Sequence, residues 1–166
     1  METKRIYLTD LEEIAEIYKD VVENMIVNNI LQWDELYPCK DIIREDIIKE
    51  QMYAGIINNK IVSVSVFVLN KEFDKEYLEA QWEYKNDKFI ILHRICVKVK
   101  YQNNGIGTKT VEMIEDNMKK KGIKSIRLDA YSKNPYSLKM YKKLGYKKVG
   151  EADWRKGLFY IFEKVI

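Results

Sequence analysis

Cysteine, proline and histidine are all scarce in this 166-residue chain, with two, two and one respectively. Cys39 and Cys96 form no CxxC pair, and no His stands at metal-ligand spacing from either. A disulfide framework and a metal site are therefore not expected, and a reducing, cytoplasmic setting fits better. Seven glycines and two prolines are too few for a flexible linker or a low-complexity tract. Long apolar runs are missing too. The longest, Ile61 to Leu69, is broken by Ser63 and Ser65 and falls far short of the roughly 20 residues of a membrane span. The start, Met1-Glu2-Thr3-Lys4-Arg5-Ile6, lacks an apolar h-region, so no secretory signal is expected. Charge of one sign is not in excess: 29 basic residues face 26 acidic ones, for a net charge of +3. That balance does not argue for a nucleic-acid partner. The lysine clusters at Lys119–Lys121, Lys142–Lys143 and Lys147–Lys148 read as solvated faces and turns.

What is present is 46% hydrophobic and 33% charged sequence. This is enough for a buried core and a wet surface, at the length of a single domain spanning 1–166. Arg5 to Leu8 reads as a short strand, followed by an S/T-x-x-E capping box at Thr9 and Glu12. Leu11, Ile14, Ile17, Tyr18, Val21 and Val22 recur at helical spacing over Asp10 to Asn28. A loop carries Trp33, Tyr37 and Pro38. Asp41 to Gln51 follows as a shorter helix with Ile42, Ile43, Ile47 and Ile48 as its buried stripe. Tyr53–Ile57 and Ile61–Leu69 read as a hairpin around Asn58-Asn59-Lys60, because Asn tolerates the positive φ of a tight turn.

Residues 70–87 form a charged insertion with Phe73, Tyr77, Leu78 and Trp82, read as a short helix. Phe89 to Val99 is a strand. Gly105 to Lys121 is a helix with Val111, Ile114 and Met118 on one face, and Gly122 caps it. Ser125 to Ala130 is a strand. Asn134-Pro135 opens a helix that ends at Gly145. Tyr146–Val149 and Leu158–Lys164 close the chain as paired strands. The order predicts an α/β fold: one mixed, mostly antiparallel sheet of about seven strands, flanked by about four helices. The closing strands leave room for a homodimer.

The segment Gln102-Asn103-Asn104-Gly105-Ile106-Gly107-Thr108 lies between a strong strand and a strong helix. The first turn of a helix leaves about four N–H groups without partners, and the macrodipole adds positive potential there. Two glycines let the backbone approach a bulky anion, so a phosphate is the natural guest. Thr108 separates Gly107 from Lys109, which breaks the Walker A pattern and argues against a phosphotransferase. A dinucleotide fold would place such a loop in its first strand–helix turn, not after a hairpin.

Gln102-x-x-Gly105-x-Gly107, preceded by Ile95-Cys96-Val97-Lys98-Val99, resembles the coenzyme A pyrophosphate loop of the GNAT superfamily of N-acetyltransferases. Downstream, Ile126 to Ala130 is similar to the family's next strand. Asn134, Leu138, Tyr141 and Leu144-Gly145-Tyr146 resemble its N…LY…LGF segment, with Tyr146 where Phe is usual. The resemblance covers about 93–150 by motif and the rest by element order. It implies acetyl transfer from acetyl-CoA to a primary amine of a small molecule or peptide, within a ternary complex. It also implies a sheet splayed between the strands at 89–99 and 124–130, with the cofactor in the wedge. Val97 and Val99 would bond the pantetheine arm through their backbones. The N–H groups of Asn103, Asn104, Gly105, Ile106, Gly107 and Thr108 would hold the pyrophosphate, with Gln102 at the head of the loop. Asn134 would touch the cofactor, or serve simply as an N-cap, or both.

Amine attack on a thioester gives a tetrahedral intermediate and releases a thiolate, which leaves better when a hydroxyl protonates it. The resemblance gives that role to Tyr141. Taken alone, Tyr141 reads as a core aromatic of an amphipathic helix. His93 has an unperturbed pKa of about 6.5, which suits a general base. Strand alternation would place it on one face with Ile95, Val97 and Val99, opposite Arg94, Cys96 and Lys98. It also reads as a packed histidine, with Glu83 and Asp129 as competing bases and Cys96 as an alternative nucleophile. Trp33, Tyr37 and Trp82 lie in segments that cover the acceptor in the family. With Glu83 and Asp129 they would suit a small cationic amine, or they serve ordinary packing. A non-catalytic acyl-CoA sensor or scaffold would share the loop and need no acid.

Overall fold

The computed structural model describes residues 1–69 and 75–166. Phe73, expected in the insertion, lies outside the described residues. The strands are β1 (Glu2–Arg5), β2 (Met52–Ile57), β3 (Lys60–Leu69), β4 (Phe89–Val97), β5 (Ser125–Tyr131), β6 (Lys147–Trp154) and β7 (Gly157–Val165). The helices are α1 (Leu11–Val27), α2 (Lys40–Ile48), α3 (Lys75–Glu79), α4 (Ile106–Lys120) and α5 (Pro135–Lys143), with short 3₁₀ turns at Leu8–Asp10 and Val99–Tyr101. The seven strands form one mixed sheet in the order β1-β2-β3-β4-β5-β7-β6. β4 and β5 run parallel, while β1–β2, β2–β3, β5–β7 and β6–β7 are antiparallel. Among the described residues, the β4–β5 pairing covers Phe89–Leu92 against Ser125–Leu128 and goes no further, although both strands continue. The chain divides into two compact units: Met1–Phe67 with Arg94–Met113, and Val68–His93 with Ile114–Ile166.

In the first unit the hairpin turns where expected, with Asn58 and Asn59 at φ 48° and 58°. Helix α1 buries Leu11, Ile14, Ile17, Tyr18, Val21 and Val22, the predicted stripe. Its start differs. The 3₁₀ turn leads into the helix, Asp10 rather than Thr9 is the N-cap, and Asp10 Oδ2 accepts from the Tyr7 N–H at 3.0 Å. The first strand is Glu2–Arg5 and not Arg5–Leu8, because it pairs with β2 from Glu2↔Ile56 to Arg5↔Tyr53 and leaves Leu8 exposed. In α2 the buried positions are Ile43, Asp46 and Ile47, while Ile48 faces solvent. At 100° per residue, positions 43, 46 and 47 share a face that 48 cannot join.

Gly55 marks a close approach in this unit. A Cβ there would stand 2.4 Å from Ser63 Oγ. Thr110 Oγ1 donates to the Ile106 carbonyl at 2.8 Å and is hydrogen-bonded to Ser63 Oγ at 2.8 Å. The first turn of α4 is thereby hydrogen-bonded to β3.

In the second unit α5 opens as predicted. Asn134 is its N-cap, accepting from the Ser137 N–H at 3.2 Å, and Pro135 is the first helical residue. The end of α4 folds back through bonds from Gly122 to Lys119 and from Ile123 to Met118. The insertion contributes α3, which lies against β6, and the Gln81 N–H bonds Val149 at 2.9 Å. No helix among the described residues is long and apolar enough to cross a membrane.

Candidate active site

The loop ahead of α4 has the geometry that an anion requires. Asn103 and Gly105 take φ 60° and 72°. A side chain at Gly105 would meet nothing within 4 Å, so the glycine is there for its backbone conformation and not for space. The Lys109 N–H reaches the Gly105 carbonyl at 3.0 Å, and it is the first to find an acceptor in the helix. Among the described residues, no backbone acceptor is taken by the N–H groups from Asn103 to Thr108. Asn103–Gly105 are exposed, Ile106 is buried, and Gly107 and Thr108 are half-buried. Gln102 supports the loop from behind: its Nε2 donates to the Val97 carbonyl and its Oε1 accepts from Asn24, both at 3.0 Å. The residues therefore fit a diphosphate. Val99 lies in a 3₁₀ turn and not in the strand, which ends at Val97, so strand-like pairing can reach only Val97.

Arg94 is the feature that strand periodicity missed. It sits inside β4 at φ 47°. A non-glycine residue in that region costs on the order of 1–3 kcal/mol and needs surroundings that hold it. Here they do. Tyr18 Oη donates to the Arg94 carbonyl at 2.6 Å. The guanidinium forks onto Asp46 at 2.8 and 2.6 Å and donates to Tyr37 Oη at 2.9 Å. The irregularity breaks the expected two-face alternation of His93 to Val99. Burial would lower the pKa of Arg94, but the Tyr37 phenol and the Asp46 carboxylate hold it above its ordinary value. Two residues expected to face the acceptor are engaged in this region. Trp33 is 5% exposed and packs on Tyr18 with centroids 5.7 Å apart, and Tyr37 holds the arginine. Cys96 is buried and its thiol is pushed up to about 12, chiefly by burial, which removes it as a nucleophile.

The second unit holds the other candidates. His93 Nδ1 lies 3.7 Å from Asp129 Oδ2, and the same oxygen accepts from Tyr77 Oη at 2.9 Å. Sequence reasoning missed Tyr77, because its partner is 52 residues away. Tyr141 is 3% exposed, against the rings of Tyr146 and Phe162 at 5.5 and 6.2 Å. Burial, then the charge of Asp129, raises its phenol above the ordinary tyrosine value. Asn134 is buried, and its Oδ1 is used by the helix cap. Glu83 points to solvent and pairs with Lys147 at 2.8 Å. Trp82 lines a cavity of about 590 Å³ with Tyr77, Phe89, Lys85 and Arg127. Among its described lining residues no carboxylate appears, so its charge is opposite to what a cationic amine would favour.

The Acetyltransferase (GNAT) family profile matches residues 15–146, and the chain belongs to that family. No curated protein matches it. Solved structures with the same fold include a GNAT family acetyltransferase from Streptococcus agalactiae, with 19% identity, coverage of 99% of this chain and 95% of that one, and a TM-score of 0.84. The ribosomal-protein-S18-alanine N-acetyltransferase from Escherichia coli is also similar, at 16% identity, 99% and 93% coverage and a TM-score of 0.69. So is an aminoglycoside acetyltransferase in complex with coenzyme A, at 14% identity, 98% and 93% coverage and a TM-score of 0.74.

Proposed function

We propose that the protein transfers an acetyl group from acetyl-CoA to a primary amine of a small molecule or peptide, by direct attack, in the cytoplasm. The observation that carries this reading is the run of N–H groups from Asn103 to Thr108, left without backbone acceptors at the head of α4. Relatives named for an aminoglycoside and for a protein alanine support an amine acceptor.

In this reading the amides of Asn103, Asn104, Gly105, Ile106, Gly107 and Thr108 hold the pyrophosphate, and the backbone of Val97 and the amide of Asn134 hold the arm. Bound acetyl-CoA supplies an activated acyl thioester. Tyr141 gives its proton to the leaving sulfur. A tyrosine phenol is protonated at neutral pH, as a donor must be, and burial tightens its hold on that proton. His93 takes the proton of the attacking amine, with the Asp129 carboxylate 3.7 Å from Nδ1 favouring the imidazolium that results.

Tyr141→Phe is expected to lower kcat about 100-fold while the KM for acetyl-CoA moves less than about twofold. Unchanged turnover would remove Tyr141 from the chemistry, and intact binding with no turnover at all in the unaltered protein would point to a sensor. A group whose pKa is raised stays protonated to higher pH, so Tyr141 should impose no loss of kcat below about pH 10. A falling limb below pH 9 that vanishes in Tyr141→Phe would contradict this. In thermal shift, acetyl-CoA should stabilise the fold, and ATP and NAD should not.

A further inference from the structure

The cavity of about 590 Å³ in the second unit has an unusual floor. Arg127 lies between two rings, 4.0 Å from Trp82 and 3.6 Å from Phe89. Both faces of the guanidinium are thus covered, and only its edge is left for hydrogen bonds. On that edge Nη2 donates to the Tyr84 carbonyl at 2.6 Å. Nε is buried and makes no hydrogen bond, although Glu163 Oε1 is 3.5 Å away. Glu163 does not depend on the arginine. Its carboxylate already accepts from Ser125 Oγ at 2.7 Å and from the N–H groups of Glu83 and Tyr84 at 2.6 and 3.4 Å. Lys85 adds a second cation at the exposed rim. Among the described residues, one carboxylate against two cations leaves the cavity positive, and its aromatic walls strengthen any ion pair formed there.

Tyr77 connects this cavity to the proposed base. It lines the cavity, and its hydroxyl holds the Asp129 oxygen that faces His93. Arg127 and Asp129 are two residues apart on β5, so their side chains leave the same face of the strand from backbone positions about 7 Å apart. An extended dipeptide separates its amine from its carboxylate by about the same length. Resting on the acetyltransferase reading, we propose that the acceptor is a zwitterion of dipeptide size. Its amine sits at His93 and Asp129 and its carboxylate at Arg127 and Lys85. Polyamines and aminoglycosides, which bring only positive charge, are disfavoured.

The test compares glycyl-phenylalanine with glycyl-phenylalaninamide as acetyl acceptors. Both offer the same primary amine, and only the first has a carboxylate. The acid is expected to have a kcat/KM at least about tenfold higher. Lys85→Glu, at an exposed residue, should bring the ratio close to one, and Arg127→Met should do the same where it folds. Calorimetry without acetyl-CoA should show the acid binding more tightly than the amide by a similar factor. That binding preference without any acetyl transfer would support the cavity assignment and overturn the acetyltransferase reading alone. If the amide or spermidine is acetylated as well as the acid, the proposal falls and the acetyltransferase reading stands.

Discussion

Each unit of the molecule holds an arginine largely out of solvent, Arg94 half-buried and Arg127 buried, and the two are held in opposite ways. Arg94, in the first unit, is closed on all sides that matter: a fork to Asp46, a bond to Tyr37, and a carbonyl tied by Tyr18. Its pKa is held up. Arg127, in the second unit, has rings on both faces, one bond to a carbonyl and an Nε without a hydrogen bond, and burial draws its pKa below the ordinary value despite Glu163. A guanidinium fully matched by its own protein fixes backbone geometry. One left partly unmatched has a hydrogen-bonding edge to spend on something else.

The largest expected effect is on the closed arginine. Asp46→Ala removes both bonds of the fork from a half-buried cation and should cost about 2–3 kcal/mol, read as a lower denaturant midpoint. Arg127→Met should cost less, on the order of 1–2 kcal/mol, since Glu163 keeps three other donors and a thioether fills the gap between the rings. Equal losses in the two variants would erase the contrast. Tyr18→Phe deletes one hydrogen bond to the Arg94 carbonyl and should cost about 1 kcal/mol. The smallest effect is chemical. At pH 8 iodoacetamide should label Cys39 and spare Cys96, whose thiol is pushed up to about 12, until the protein unfolds. Loosening the region with Tyr18→Phe should speed Cys96 labelling. Rapid native labelling of Cys96 in the unaltered protein would show that this region is not closed.

Local signals were readable in the sequence because local physics fixes them. Asn58-Asn59 could tolerate the positive φ of a two-residue turn, and Asn134-Pro135 could start a helix, whatever the rest of the chain did. Gly105, whose φ is 72°, is of the same kind. What escaped notice was set by partners far along the chain. Asp46 is buried where periodicity favoured Ile48, because Arg94 is there to meet it. Arg94 breaks the alternation of β4 because Tyr18, 76 residues earlier, ties down its carbonyl. Tyr77 gains its meaning only from Asp129. The insertion was read as a helix, but its aromatic contacts with Arg127 and Trp154 leave no mark in spacing. The family's motif residues were legible, whereas the charge of the cavity was not, since it depends on which side chains face inward.

Gly55 has a reach that its size conceals. It abuts Ser63, Ser63 is bonded to Thr110, and Thr110 is bonded to Ile106 at the mouth of the helix whose amides are proposed to hold the pyrophosphate. Adding one methyl group at Gly55 would push on a chain of three contacts and tilt the donors at its far end. On the proposed reading, cofactor affinity can therefore be tuned, or spoiled, from a hairpin outside the proposed cofactor loop.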